Sequence, residues 1–237
     1  CVSGSFYIIP YKGLAAKEMT DMLYVTIYDA DGNQVSVEYA ESIQTYVMRM
    51  LDKQDNHATL QTLYVDILNY GAEAQKYFSN YNASNLANSK LSEAQKALGT
   101  AEAKECKNYR EDKTWKAYVG TSLYLESRIE YTFAVKASAI GANGSVVVSY
   151  TDHLGKAQNV TLEREAGSGA YAMFKLASPV VADGRCLMSV NIYGNNGELI
   201  ETVTESMESY VSRMSGTYPW MASIMVFSDA AYAYLHR

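Results

Sequence analysis

Two stretches of this chain follow one pattern, and a duplication constrains folding more tightly than composition can, because both copies must build the same elements from different side chains. LYVTIYDADGNQV, from Leu23, returns as MSVNIYGNNGELI, from Met188, with Ile27 on Ile192, Tyr28 on Tyr193 and Gly32 on Gly197. In the first copy Asp29, Asp31 and Asn33 alternate around that glycine and invite a metal-binding reading. A calcium loop of the EF-hand kind needs glycine sixth and a bidentate glutamate twelfth. Counting from Asp29, Gly32 is fourth and Ala40 twelfth, and the second copy replaces Asp29 with Gly194 and Asp31 with Asn196. Both copies keep an alternating apolar strand, an Asp-Gly or Asn-Gly pair and a second alternating strand. That pattern predicts a hairpin closed by a two-residue turn with positive φ.

The similarity continues into helices. SIQTYVMRM, from Ser42, matches SMESYVSRM, from Ser206, with Tyr46 on Tyr210, Arg49 on Arg213 and Met50 on Met214. Ile43, Tyr46, Val47, Met50 and Leu51 fall at helical spacing, as do Met207, Tyr210, Val211 and Met214. Ser42 and Ser206 stand where a hydroxyl caps free backbone amides. In the second helix Leu60, Leu63, Tyr64, Ile67, Leu68, Gly71, Ala74 and Phe78 share one face. They map onto Thr217, Trp220, Met221, Ile224, Met225, Ser228, Ala231 and Leu235. Gly71 and Ser228 put a small residue in mid-stripe, as close approach of another element requires; glycine there otherwise costs about 1 kcal/mol relative to alanine. The paired Arg49 and Arg213 either bind acid groups or keep a duplicated salt bridge, and the salt bridge is the reading we favour.

The expected fold class is α+β: two related modules, each an antiparallel hairpin or sheet packed with a C-terminal helical hairpin, sandwich-like in the second. The first module spans 1–81 and the second 118–237, with a polar linker at 82–117. Strands are expected at Leu123–Ile140, Ser145–Tyr150, Val160–Glu163 and Ala170–Leu176, and a short helix at Leu91–Leu98 capped near Ser89. Only Phe6–Pro10 precedes the first hairpin as a strand, and Ser3–Pro10 reads as a strand cut mid-domain, so the chain is expected to be a piece of a longer protein.

At 237 residues and 26.3 kDa, with 48% hydrophobic and 19% charged residues, the chain can bury a sizeable core, and no apolar run approaches the ~20 residues of a membrane span. A net charge of -6 argues against nucleic acid, whose affinity rests on clustered Lys and Arg. Cys1, Cys106 and Cys186 show no metal spacing. Cys106 and Cys186 are read as free thiols, although a disulfide between them stays open, and Cys1 has no signal sequence ahead of it to support lipidation. The 21 tyrosines, against 5 phenylalanines and 2 tryptophans, suit a wide, partly polar binding surface or simply the edges of packed elements.

LNYGAEAQKYFSNYNASNLAN, from Leu68, and VGTSLYLESRIEYTFAV, from Val119, together with the hairpin and helix pair, resemble a repeated module of large Gram-positive bacterial surface proteins. There a Y-G-x-x-A-Q-x-Y-F helix end precedes a polar N-x-x-L-A-N segment, and a later S-L-x-L-E-S strand opens the next sheet. The second copy departs in ending SDAAYAYL, without the glycine or the glutamine. The resemblance implies an extracellular location, at the bacterial surface or secreted, with a binding or spacing task and no catalytic residues.

No nucleophile elbow, zinc-protease motif, phosphate loop or dinucleotide fingerprint is present. His57, His153 and His236 lack partners at ligand spacing in sequence, although folding can join two of them. GSGAY, from Gly167, reads as a hairpin turn, and Glu126 with Glu130 is a carboxylate pair of the kind glycosidases use, one of many among 26 acidic residues. The expectation is a non-enzymatic, cofactor-free and metal-free module binding a host glycoprotein, immunoglobulin or glycan through exposed aromatics, for which Tyr81, Tyr109, Trp115, Tyr118, Tyr150 and Trp220 are the candidates. The rivals are a structural spacer without a ligand and, further off, a carbohydrate-active enzyme. A contiguous exposed patch would favour binding and scattered tyrosines the spacer.

Overall fold

A computed structural model describes every residue except 1, 4–5, 8–9, 12, 54–56, 79–83, 126–127, 166–168, 178–179 and 219. The first half contains a short pair, β1 (Val2–Ser3) and β2 (Phe6–Tyr7), then a 3-10 turn (Ala16–Glu18) and a hairpin of β3 (Leu23–Val25) and β4 (Tyr39–Glu41). Helices α1 (Ile43–Leu51), α2 (Ala58–Tyr77) and the single turn α3 (Glu93–Lys96) follow. The second half runs β5 (Tyr118–Tyr124), β6 (Glu130–Lys136), a helical turn α4 (Ala137–Ile140), β7 (Ser145–Thr151), β8 (Ala157–Leu162), β9 (Arg164–Glu165) and β10 (Tyr171–Ala177). It closes with a second 3-10 turn (Val181–Asp183), β11 (Met188–Tyr193), β12 (Leu199–Glu205), α5 (Met207–Met214) and α6 (Met221–Leu235).

The two similar stretches fold alike, and the likeness reaches further upstream than the sequence match. Strands β3–β4 and β11–β12 pair in the same register, Val25 opposite Tyr39 in one and Val190 opposite Val203 in the other. Gly32 and Gly197 have φ of 84° and 81°. The loop is one residue longer than the expected two: the Asp29 and Gly194 amides close on the Asn33 and Glu198 carbonyls, and the Gly32 and Gly197 amides on the Asp29 and Gly194 carbonyls. This is a type I turn ended by a left-handed glycine. Asp29 Oδ1 accepts the Asp31 and Asn33 amides at 3.0 and 2.8 Å, while in the second copy Glu198 accepts the Asn196 amide at 3.0 Å. The carboxylate that suggested a metal satisfies the turn's own backbone.

Ser42 and Ser206 cap α1 and α5, accepting the Thr45 and Ser209 amides at 3.0 and 2.9 Å. In each copy the 3-10 turn leads to a carbonyl that receives the helix's second amide, Gln44 to Met19 at 2.8 Å and Glu208 to Gly184 at 2.9 Å. The small mid-helix residue faces that turn. A Cβ on Gly71 would lie 2.4 Å from Met19 Sδ, and one on Gly184 would lie 2.3 Å from Ser228 Oγ. The copies solve one steric problem in opposite ways, with glycine on the helix and methionine on the turn, or serine on the helix and glycine on the turn. Helices α2 and α6 pack together, and where they do the repeat-related Tyr70 and Phe227 stack at 5.9 Å.

Residues 118–205 form two four-stranded antiparallel sheets, ordered β5-β6-β10-β9 and β12-β11-β7-β8. Alternation along the strands gives each sheet one apolar face. Tyr131, Phe133 and Val135 of β6 with Phe174 of β10, and Val146 and Val148 of β7 with Val190 and Ile192 of β11, meet in one core. The expected strand 123–140 is in fact two strands and a helical turn. The β5–β6 connection interrupts it, and Ala137–Ile140 coils where the chain passes from one sheet to the other.

Buried residues of 1–81 and of 118–237 belong to one contiguous cluster that also includes Ala87, Leu91 and Ala117 of the segment 82–117. The segment is a strap held by buried polar side chains. Gln44 Nε2 donates to the Leu86 and Ala87 carbonyls at 3.0 Å, Gln75 Oε1 accepts the Ala87 amide at 2.7 Å, and Asp66 accepts the Thr100 amide and hydroxyl. Farther on, Arg185 grips Asp229 with two nitrogens and Glu208 with a third, and also donates to the Glu105 carbonyl. Glu201 receives the amides of Lys116, Ala117 and Tyr118 at 2.5–2.9 Å. The expected helix at 91–98 shrinks to α3, capped by Ser92.

Candidate functional site

Each helical hairpin presents a groove to the strands that precede it, and the two copies treat that groove differently. In the second copy the groove lies between α5, α6 and the end of α2, and β5 covers it. Leu125 is buried there, its carbonyl accepts a hydrogen bond from the Tyr70 hydroxyl at 3.3 Å, and the Tyr210 hydroxyl bonds the backbone of Leu123. In the first copy the equivalent groove is open. Its walls are Ile43, Tyr46 and Val47 of α1, Leu63, Tyr64 and Ile67 of α2, and Phe227, Ala231 and Tyr234 of α6, enclosing about 470 Å³. Tyr46 is 42% exposed, whereas its mate Tyr210 is 8% exposed.

The hairpins differ in the same sense. Val190, Ile192 and Val203 face the sandwich core and are fully buried, and β7 pairs along the outer edge of β11. Their mates Val25, Ile27 and Tyr39 are 50%, 53% and 55% exposed, and among the described residues β3 pairs only with β4. Tyr24, Tyr28, Val35 and Val37 add to the apolar surface of this ribbon. Exposed apolar residues gathered on one strand pair mark a candidate interaction surface. An unpaired strand edge beside it is a template for further pairing. Among the described residues, no sheet covers the first copy as residues 118–205 cover the second.

A smaller pocket of about 230 Å³ remains beside β5, lined by Tyr77, Phe78, Tyr124, Tyr210, Tyr218 and Trp220 among others. Tyr77 stacks on Trp220 at 5.0 Å, with Phe78 and Tyr218 edge-on to the pair. Trp220 Nε1 is the one buried side-chain polar atom among the described residues without a hydrogen-bond partner. An orphaned donor costs free energy on the order of 1–3 kcal/mol.

The candidate aromatics do not form one patch. Tyr81 lies outside the described residues. Tyr118 and Trp220 are buried, which corrects their reading as exposed: Tyr118 supports Trp115 edge-on at 5.5 Å and bonds Thr121, while Trp220 anchors the aromatic cluster. Trp115 is half-buried with Lys113 over its ring, Tyr150 is half-buried on β7, and Tyr109 is exposed on the strap. The residues lining the open groove and the exposed residues of the first hairpin were not among the candidates. The signal for the latter was the alternation of apolar residues along both strands of that hairpin.

Other chemistry is accounted for locally. Arg49 pairs with Glu41 and Arg213 with Glu205, so the duplicated arginine keeps a duplicated salt bridge. Cys106 and Cys186 are free. Burial raises the Cys106 thiol, and burial beside Asp183 raises that of Cys186 to about 11, the opposite of what a nucleophile needs. His153 Nδ1 contacts Asp183 at 2.7 Å and its ring meets His236 at 5.9 Å, so folding does join two histidines. No set of three metal-ligating side chains converges among the described residues. Glu130 is held by Arg128 at 2.7 Å and Lys175 at 3.7 Å, and Glu126 and Gly167 lie outside the described residues. No helix among the described residues is long and apolar enough to cross a membrane. No protein-family model, no curated protein and no solved structure matches the chain.

Proposed function

We propose that this chain is a non-enzymatic interaction module of a bacterial cell surface, and that its working surface is the uncovered face of the first repeat, taking a polypeptide partner. One observation carries the reading: Val25, Ile27, Tyr39 and Tyr46 are open where their repeat mates are buried. A pure spacer gains nothing from such a face, which exposes it to aggregation. The extracellular setting rests on the resemblance of the helix ends and of the S-L-x-L-E-S segment. The test is a screen of the intact chain against immobilised host glycoproteins, immunoglobulins and glycans, beside a Leu63→Asp variant that places a charge in the groove wall. Saturable binding that the variant loses while keeping its thermal transition supports the reading. A well-folded chain that binds nothing turns it toward the spacer.

The Trp220 pocket favours a second reading, a glycan. Tyr77 and Tyr124, exposed beside it, offer ring faces to sugar C–H groups. Its test needs no mutation. On addition of a bound glycan the ring resonances of Tyr77 and Tyr124 move, and glycans that bind while leaving them unmoved bind elsewhere.

A further inference from the structure

The second repeat shows what the first repeat is shaped to hold. We infer that the occupant of the uncovered face is a β-rich partner polypeptide. One of its strands pairs with the free edge of β3, and a strand of a second sheet, of Leu-x-Leu type, lies in the groove between α1, α2 and α6, as β7 and β5 of separate sheets do in the covered copy. This inference rests on the protein-binding reading above and names its partner.

In the covered copy, β7 pairs with β11 along its whole length, Val148 opposite Val190 and Val146 opposite Ile192. Val25 of β3 and Ile27 just beyond it hold those positions and keep the alternation, but among the described residues β3 pairs only with β4. In the covered copy Leu123 of β5 and Leu125 just after it pack against the helices, tied to α5 by the Tyr210 hydroxyl and to α2 by the Tyr70 hydroxyl. Tyr46 keeps the first hydroxyl in the open copy, and Phe227 stands where Tyr70 supplies the second. Ahead of β3, the described residues offer only β1–β2, which pair with each other. A sheet partner satisfies the unpaired edge through backbone hydrogen bonds and fills the groove through alternate side chains, the two components of strand addition. A helix would fill the groove and leave the β3 edge open.

The probe is a synthetic peptide carrying the sequence of residues 118–127, YVGTSLYLES, titrated into the intact chain and followed by methyl resonances of Val47, Ile67 and Ala231. We expect saturable binding with a dissociation constant below about 1 mM, weakened at least about tenfold by Leu63→Asp or by serine at both peptide leucines. Tyr46→Phe weakens it less and leaves the fold unchanged. Absence of binding, or equal binding of the serine peptide, overturns the inference; if the surface screen still yields a ligand that Leu63→Asp abolishes, the protein-binding reading stands and only the sheet partner falls. Concentration-dependent self-association lost in Leu63→Asp assigns the face to a second copy and also overturns it.

Discussion

Glu41 and Glu205 are the same residue twice, and their surroundings separate what an ion pair is worth. Glu205 is fully buried with Arg213 nearly so, whereas Glu41 and Arg49 meet at the surface. Removing one partner of a buried pair strands a charge and costs about 3–5 kcal/mol. Arg213→Ala is therefore expected to lower the urea midpoint by that measure, and Arg49→Ala by a small fraction of it; equal effects would show that Glu205 is solvated. A second residue sets an acid limit. Burial works against the Glu201 carboxylate, but the Tyr118, Lys116 and Ala117 amides outweigh it and hold its folded value below the ordinary 4.5. The sign follows: the stability this adds is fully present above pH 4.5 and is lost as pH falls through the depressed value. Glu201→Gln is expected to unfold earlier in urea at pH 7 and to lose less on acidification, with the two proteins converging at low pH. At this scale the sequence was readable where the repeat doubled the signal, as for Arg49 and Arg213. It was silent where residue type alone had to decide exposure, as for Tyr118 and Trp220.

Among the elements, the 3-10 turn and the helix it touches form a coupled pair. Gly71→Ala gains up to about 1 kcal/mol of helix propensity. Its new Cβ meets Met19 Sδ, the Ala87 Cβ at 3.1 Å and the Ala16 carbonyl at 3.2 Å. Overpacking of that kind costs about 1–3 kcal/mol, so a net loss is expected. Met19→Ala combined with Gly71→Ser moves the first copy toward the solution of the second, and the double variant should lose about 1 kcal/mol less than the two single losses together. Strict additivity in a urea-unfolding cycle would mean that the two sites do not feel each other. The hairpins, caps and helices were legible because period and capping chemistry are local. The strap was not, because what orders it is Gln44, Gln75 and Asp66, polar residues on helices whose partners are backbone groups far along the chain.

Across the whole molecule, one buried cluster runs through both repeats and the strap, so the chain should unfold in a single calorimetric transition with equal calorimetric and van't Hoff enthalpies. Two resolved transitions would restore the two-module division that the sequence suggested. The candidate face was only half legible: the sequence showed a hairpin without leading strands but not that its apolar side stays open. The stacking of Tyr70 on Phe227 carries a consequence of another kind. Everywhere else in a duplicated chain the two copies are free to drift apart, since each position has its own neighbours. Here each residue's neighbour is its own counterpart, so a change in one copy is at once a change in the environment of the other. The two halves share their history at this contact, and a lineage that remodels either groove must pass through it.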